Sequence, residues 1–507
     1  MSFFSNPSLF LLVLGALLVV SVMANRASDR MGIPIMLMFL GIGMAAGSDG
    51  LGLQFTSKEL ANFIGIFALS LILFSGGLDT HWKSIRPVLW RALGLATFGV
   101  ALTAVFLALF VWWAFPGTPF LHALLLSSIV SSTDAAAVFA IMRSRGVSLK
   151  GHIRPLLELE SGSNDPMALF LTTAVLALIG GLPTGGGAVC LKIVPDMLAN
   201  MGIGVACGAG VGYVTCHLIR RLKLEYEGLY PVLTLSLVLF TYGLCDTLRG
   251  NGFLAVYTCG ILMGNLEFPN KRTITRFHDG LSWLSQIILF LALGLLVFPA
   301  HLLTVAPKAL LAAVFLMFVA RPLAVYIGLF GSGFTWHERT LISWTGLRGA
   351  VPIVLATFPF TKGYPLAEEI FNMVFFIVLA SVLFQGKTLM TVARWLNVDK
   401  PITRRPKQPL EYEKTAGFKD DMREVDVPPD SAIVGQAIAK IGLPREVLIV
   451  LIQRGEHFVV PRGQTVVEAF DTLMLLGPEE DLAQAEEKLL LAPPEPEQAV
   501  TEEDQTP

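Results

Sequence analysis

Between Leu157 and Met167 the chain reads LELESGSNDPM, which sets Glu158, Glu160 and Asp165 in or beside an apolar run continuing to Ile179. A carboxylate at the centre of a membrane helix costs roughly 2.5–3.5 kcal/mol on insertion scales, so a sequence keeps one there chiefly to handle ions or protons. Pro166 adds a second irregularity. It has no N–H to give to the carbonyl of Gly162, which leaves an acceptor one turn from Asp165. The Asp165 carboxylate, the Asn164 amide, the hydroxyls of Ser161 and Ser163 and that carbonyl form an oxygen-rich set suited to a small hard cation. Glu158 follows the basic stretch Arg143–Arg154 and reads more simply as a solvated acid at a helix end. Asp165 lies more than a turn deeper and is the candidate for binding.

The elements that must position this stretch are membrane spans. Apolar residues make up 54 % of the chain and charged ones 15 %, against about 25 % charged in an ordinary soluble domain. The fold class is therefore an all-α polytopic membrane protein. At about 20 apolar residues per span, the sequence accommodates about thirteen helices. Basic residues concentrate in alternate loops, among them Arg143, Arg145, Lys150 and Arg154, then Arg220, Arg221 and Lys223. Basic loops favour the cytoplasm, so the C-terminus is expected inside and the N-terminus outside. The first apolar run, Ser8 to Ala24, has no basic residue before it and reads as a retained span rather than a signal peptide.

Two spans look broken. The fifth, near 119–142, contains Ser131, Ser132, Thr133 and Asp134 between apolar halves. Its hydroxyls and acid compete for backbone hydrogen bonds, and Thr133 or Asp134 is placed to cap a second half-helix. The twelfth, near 339–359, contains Thr345-Gly346-Leu347-Arg348-Gly349-Ala350 followed by Pro352. Spans seven apart run in opposite directions, and paired interruptions of this kind point to an inverted-repeat transporter with a site at the midplane. A gated cation channel is a second reading, although no TVGYG-like filter loop occurs. A hydrolase using Ser161 or Ser163 is a third, but no histidine lies in the apolar spans where it could be placed beside them as a base.

Smaller signals have structural explanations. Gly204, Gly208 and Gly212 make a repeated small-residue face for helix packing in lipid. Gly185-Gly186-Gly187 reads as an external loop, and His81, His152, His278 and His337 as surface residues of cytoplasmic loops. Arg321, inside the eleventh span beside Pro322, reads as a structural cation that pairs with helix carbonyls or an acid. The five cysteines are scattered, with no metal-ligand spacing and no disulfide framework.

The membrane domain is assigned to 1–398, with a Pro- and charge-rich linker over 399–416. Residues 417–490 read as a small α/β module, with strands near 447–453, 458–460 and 472–476 and helices near 433–440 and 480–490. The acidic, Pro-rich tail 491–507 reads as disordered.

Three motifs, S-S-T-D at 131–134, E-S-G-S-N-D-P at 160–166 and G-L-R-G-A-V-P at 346–352, resemble the monovalent cation–proton antiporter-1 family of the bacterial NhaP type. The soluble module, with V-P-R-G-Q-T at 460–465 and D-T-L at 471–473, is similar to the C-terminal half of a TrkA/RCK regulatory domain. Together they look like the potassium/proton antiporters linked to cell-volume regulation. The resemblance implies that Asp165 is shared between cation and proton. Asn164, Ser161 and the backbone near Thr133 and Asp134 would help hold the ion, and Glu160 would pair with Arg348. It also implies a homodimer in a bacterial inner membrane, with potassium or sodium and protons as its ions. No cofactor, enzyme activity or nucleic-acid partner is expected. The nucleotide-binding half of an RCK unit has no counterpart here, which leaves NAD without support and a small-molecule ligand of the module open. With asparagine rather than a second acid at 164, one proton would exchange for one cation, and transport would be electroneutral.

Overall fold

The computed structural model describes residues 6–401 and 420–490, apart from 32–33, 54, 56, 181–185, 223, 429–430 and 456. Most of the expected linker and the whole of the tail lie outside the described residues. The chain divides into two compact units, Met1–Ile402 and Thr403–Pro507.

Among the described residues the first unit has nine helices long and apolar enough to cross a membrane, and four shorter apolar ones. Together they match the expected count of about thirteen. Where small residues meet, backbones touch. A Cβ on Gly77 would lie 2.6 Å from the Tyr257 carbonyl oxygen, and one on Gly208 would collide with Ala255, so only glycine permits these crossings. The Gly204/Gly208/Gly212 face thus packs Gly186–Arg221 against Gly252–Asn265.

Two expectations fail at helix starts. The tenth span begins at Lys271, not near 280, because a helix can carry its basic residues in a first turn that still faces water. His278 is consequently buried at 1 % exposure, with its Nε2 2.9 Å from the Thr234 hydroxyl, and is not a surface residue. Gly186 and Gly187 open a helix and do not belong to a loop.

Both interruptions are present. Phe120–Ile129 and Ala135–Ser144 are separated by a non-helical segment at 130–134, and Trp336–Trp344 and Ala350–Leu355 by one at 345–349. The Asp134 N–H donates to the Leu347 carbonyl at 2.7 Å, so the two helices cross at their breaks.

Strand β1, Val147–Leu149, pairs antiparallel with β2, Asp399–Pro401. Residues 399–401, expected in the linker, are therefore tied to the membrane unit. The second unit is an antiparallel sheet in the order β3-β6-β4-β5, with β3 at Asp420–Asp426, β4 at Leu448–Arg454, β5 at His457–Val459 and β6 at Thr472–Pro478. Helix Glu479–Leu490 covers its core through Leu482, Ala485 and Leu489. Strand β3 went unread because its sequence, DDMREVD, has four acids in seven residues. The helix expected over 433–440 is only Ile438–Ile441, since Gly435 adopts a φ of 83° and turns the chain.

Candidate functional site

Helix Ile153–Ile179 carries the site, with Pro166 inside it. Arg154, Glu158, Ser161, Gly162 and Asp165 all line one deep cavity of about 1360 Å³. Their spacing of four, three, one and three residues is one face of an α-helix. Glu160 and Asn164, four apart, lie on another face and are away from that cavity.

Asp165 is 8 % exposed, and its Oδ1 has no hydrogen-bond partner among the described residues. Ser132 lies against its carboxylate, and Asp134 is near enough to repel it. Neighbouring side chains hold the first helix break in place. The Ser161 hydroxyl donates to the Thr133 carbonyl at 3.0 Å and accepts from the Ala135 N–H at 3.0 Å. The Asn164 amide donates to the Thr133 hydroxyl at 2.6 Å, and its Oδ1 is left without a partner. Asp134 caps the second half-helix, accepting from the Ala137 N–H at 3.1 Å. Of the two capping candidates, Asp134 fills the role, and Thr133 instead presents its oxygens to the site helix. The structure thus brings Asp165, Asn164, Ser161, Thr133 and Asp134 together.

The pairing of Glu160 with Arg348 is corrected. Glu160 Oε1 accepts from Arg321 Nη2 at 2.5 Å, with both side chains almost fully buried. Arg348 Nη1 donates to the carbonyls of Ser131 and Ser132 at 2.6 Å each. The physical reason is that Phe120–Ile129 ends just before those carbonyls. The last carbonyls of a helix lack partners and carry the negative end of its dipole, which a guanidinium satisfies. Arg321 is also packed against the second break: a Cβ on Gly346 would lie 3.2 Å from its Cγ. Each buried arginine therefore supports one broken helix.

Two contributors were not read from the sequence. Asn251 caps helix Gly252–Asn265 and donates to the Pro166 carbonyl at 2.9 Å, anchoring the irregular part of the site helix. Tyr257 presses its ring on Gly162, where any Cβ would collide with it. Asn251 carried a signal as the cap of an apolar run; Tyr257, inside one, carried none.

The arrangement is a carboxylate with an open oxygen, set beside two unwound backbone segments and reached by one cavity. Oxygen ligands from such segments coordinate alkali cations, and a carboxylate also accepts a proton. A model of the sodium/hydrogen exchanger transmembrane family matches residues 13–395. The chain belongs to that family. A TrkA-C domain matches residues 422–490. The exchanger is 39 % identical over 473 residues to the K(+)/H(+) antiporter NhaP of Alkalimonas amylolytica, covering 92 % of this chain and 81 % of that one. It is 39 % identical to the K(+)/H(+) antiporter NhaP2 of Shewanella sp. strain MR-4, covering 93 % and 81 %. The Na(+)/H(+) antiporter ApNhaP of Aphanothece halophytica is 28 % identical over 414 residues, covering 78 % and 75 %. In shape the exchanger resembles the sodium proton antiporter MjNhaP1 of Methanocaldococcus jannaschii, with a TM-score of 0.63, 23 % identity and coverage of 74 % and 98 %. The resemblance drawn from the motifs is borne out, and the exchanger is a cation/proton antiporter with a regulatory-type module.

Proposed function

We propose that this antiporter exchanges one potassium ion for one proton at Asp165. The observation that carries the reading is the unpartnered Asp165 Oδ1 beside the crossed helix breaks, on a cavity wall. Cation and proton compete for that one carboxylate, and the competition couples their fluxes. Ser132, which lies against the carboxylate, and Asn164 Oδ1, without a hydrogen-bond partner among the described residues, supply the neutral oxygens of this reading. Glu160 is paired with Arg321 and takes no part in the exchange. Potassium is favoured over sodium because the relatives at 39 % identity carry potassium in their names.

Arg143, Arg145, Lys387 and Arg394 also line the cavity. By the basic-loop rule these residues face the cytoplasm, so the geometry is inward-open, in a bacterial inner membrane. Crossing then requires the unit that carries the broken helices to move against its neighbours around the site. The chain works as a homodimer, and the TrkA-C module sets the threshold of exchange without joining the ion path.

The deciding experiment is dye-reported proton flux in proteoliposomes under potassium, sodium and choline gradients. Potassium should drive it best and choline not at all. An imposed voltage without ion gradients should drive no net proton flux, although one uncompensated charge would be worth about 2.3 kcal/mol per 100 mV. A balance point that moves with voltage would contradict one-for-one exchange.

A further inference from the structure

Two turns before Asp165 on the same helix face stands Glu158, about 10 Å nearer the cavity mouth at 1.5 Å rise per residue. It is not alone there. Asp79, the last residue of helix Lys58–Asp79, and Asp279 from the neighbouring helix line the same cavity. Asp79 lies in the electrostatic field of Asp279, and Glu158 in that of Asp79. Arg143 and Arg154 lie in their field, and His81 adjoins Asp79. Yet among the described residues none of the three carboxylates has an ion-pair partner. Arg154 instead stacks over the Phe139 ring at 5.4 Å. Asp79 is also at the wrong end of its helix, where the dipole disfavours an anion.

A second observation marks the same place. Tyr257 lines the cavity where it meets Gly162, midway between Glu158 and Asp165, and its side chain is in the electrostatic range of both. The residue is only 3 % exposed, and among the described residues its hydroxyl has no partner in hydrogen-bond geometry, though the Thr80 hydroxyl lies beside it. A buried phenol oxygen without a partner is uncommon, because the desolvation it suffers goes uncompensated. Here it lies within range of Glu158 on one side and of Asp165 on the other.

We propose a second monovalent-cation site in the cavity, formed by Glu158 and Asp79 with the Tyr257 hydroxyl as its inner ligand and Asp279 as an outer charge. A cation held there is partly dehydrated and is passed past Tyr257 to Asp165. This rests on the reading that cations reach Asp165 through this cavity, but its binding chemistry is independent of exchange. The site is weaker than the inner one, since Asp79 is exposed to the cavity water and Glu158 is half-buried.

Thallium(I), a potassium surrogate, tests it by equilibrium dialysis against the full chain in nanodiscs at alkaline pH. Asp165→Asn should lose part of the saturable binding and keep the rest; adding Glu158→Gln and Asp79→Asn should remove what remains. Separately, Glu158→Gln should raise the KM for potassium by about tenfold, equivalent to about 1.4 kcal/mol, with the change in KM rather than kcat. Tyr257→Phe, which keeps the ring that packs on Gly162, should move KM the same way by about threefold. Absence of saturable thallium binding in Asp165→Asn overturns the second site and leaves exchange at Asp165 intact. Exchange that persists in Asp165→Asn would instead overturn the assignment of the inner site. A loss of kcat and of folded protein in Tyr257→Phe, with KM unchanged, would reduce Tyr257 to packing and also overturn the proposal.

Discussion

Glu160 and Asp165 are both buried carboxylates on one helix, five residues apart, and they have opposite fates. Five residues turn a helix by about 140°, which sends one side chain toward Arg321 and the other to the cavity. Glu160 has a guanidinium at 2.5 Å. Among the described residues Asp165 has no ion-pair partner, and its Oδ1 is open. A buried acid is thus made structural or functional by the face it occupies, and the residue type alone does not decide it. The two buried arginines repeat the lesson. Arg321 neutralises a carboxylate, whereas Arg348 neutralises the carbonyl end of a half-helix.

The comparison breaks first at Asp165. If Asp165 is shared by cation and proton as proposed, Asp165→Asn removes the shared group while keeping its shape, so cation-driven proton flux should fall at least about 100-fold. The variant should remain folded, with an unchanged elution profile and melting temperature, because no protein partner is lost from the open oxygen. Flux near the wild-type rate would give Asp165 the same standing as Glu160.

The opposite result is expected on the other face. Glu160→Ala or Arg321→Ala each leaves a charge buried without its partner, at a cost of about 3–5 kcal/mol. The change of both to uncharged residues of similar size, Glu160→Gln with Arg321→Met, should cost less than the sum of the singles. Thermal unfolding of the detergent-solubilised protein measures all three. Strict additivity would show that the two side chains do not act as a pair.

How far the sequence carried the reading follows from the same geometry. The crossed breaks were legible, because Ser131-Ser132-Thr133-Asp134 and Thr345–Gly349 interrupt apolar runs with groups that compete for the backbone. Asp165 was legible as an acid deep in a span beside a proline. The partner of Glu160 was not. Arg321 and Arg348 are both cations inside spans, and only three-dimensional packing distinguishes the one that reaches Glu160. Tyr257 was illegible for a different reason: in FLAVYTCGIL it is one more bulky residue of an apolar helix. Its importance comes from Gly162, 95 positions earlier. Strand β3 escaped because its pairing with β6 overrides a composition that disfavours strands.

The contact of Tyr257 with Gly162 gives the next, smaller effect. Gly162→Ala places a methyl group against the Tyr257 ring, on the cavity face between Glu158 and Asp165. Overpacking of this kind costs about 1–3 kcal/mol. Because the strain falls on the functional face, it should slow flux more than it lowers the melting temperature. The companion change Tyr257→Leu should relieve the clash and recover part of the stability. If Gly162→Ala melts as the wild type does and transports as fast, the ring does not occupy that position.

The smallest effect is expected at Pro166, where the two faces of the helix share one backbone. Proline leaves the Gly162 carbonyl without its helical N–H, yet the Pro166 carbonyl is held by Asn251 at 2.9 Å. Pro166→Ala restores an N–H that can bond to Gly162 and removes an acceptor from the neighbourhood of Asp165. An added helical hydrogen bond is worth about 0.5–1.5 kcal/mol, so the variant should be slightly more stable. If the freed carbonyl contributes to cation binding, the same change raises the KM for potassium by a few-fold at unchanged maximal rate. A gain in stability with no change in KM would mean that the carbonyl plays no part, and that the cation is held by Asp165, Asn164 and the broken helix alone.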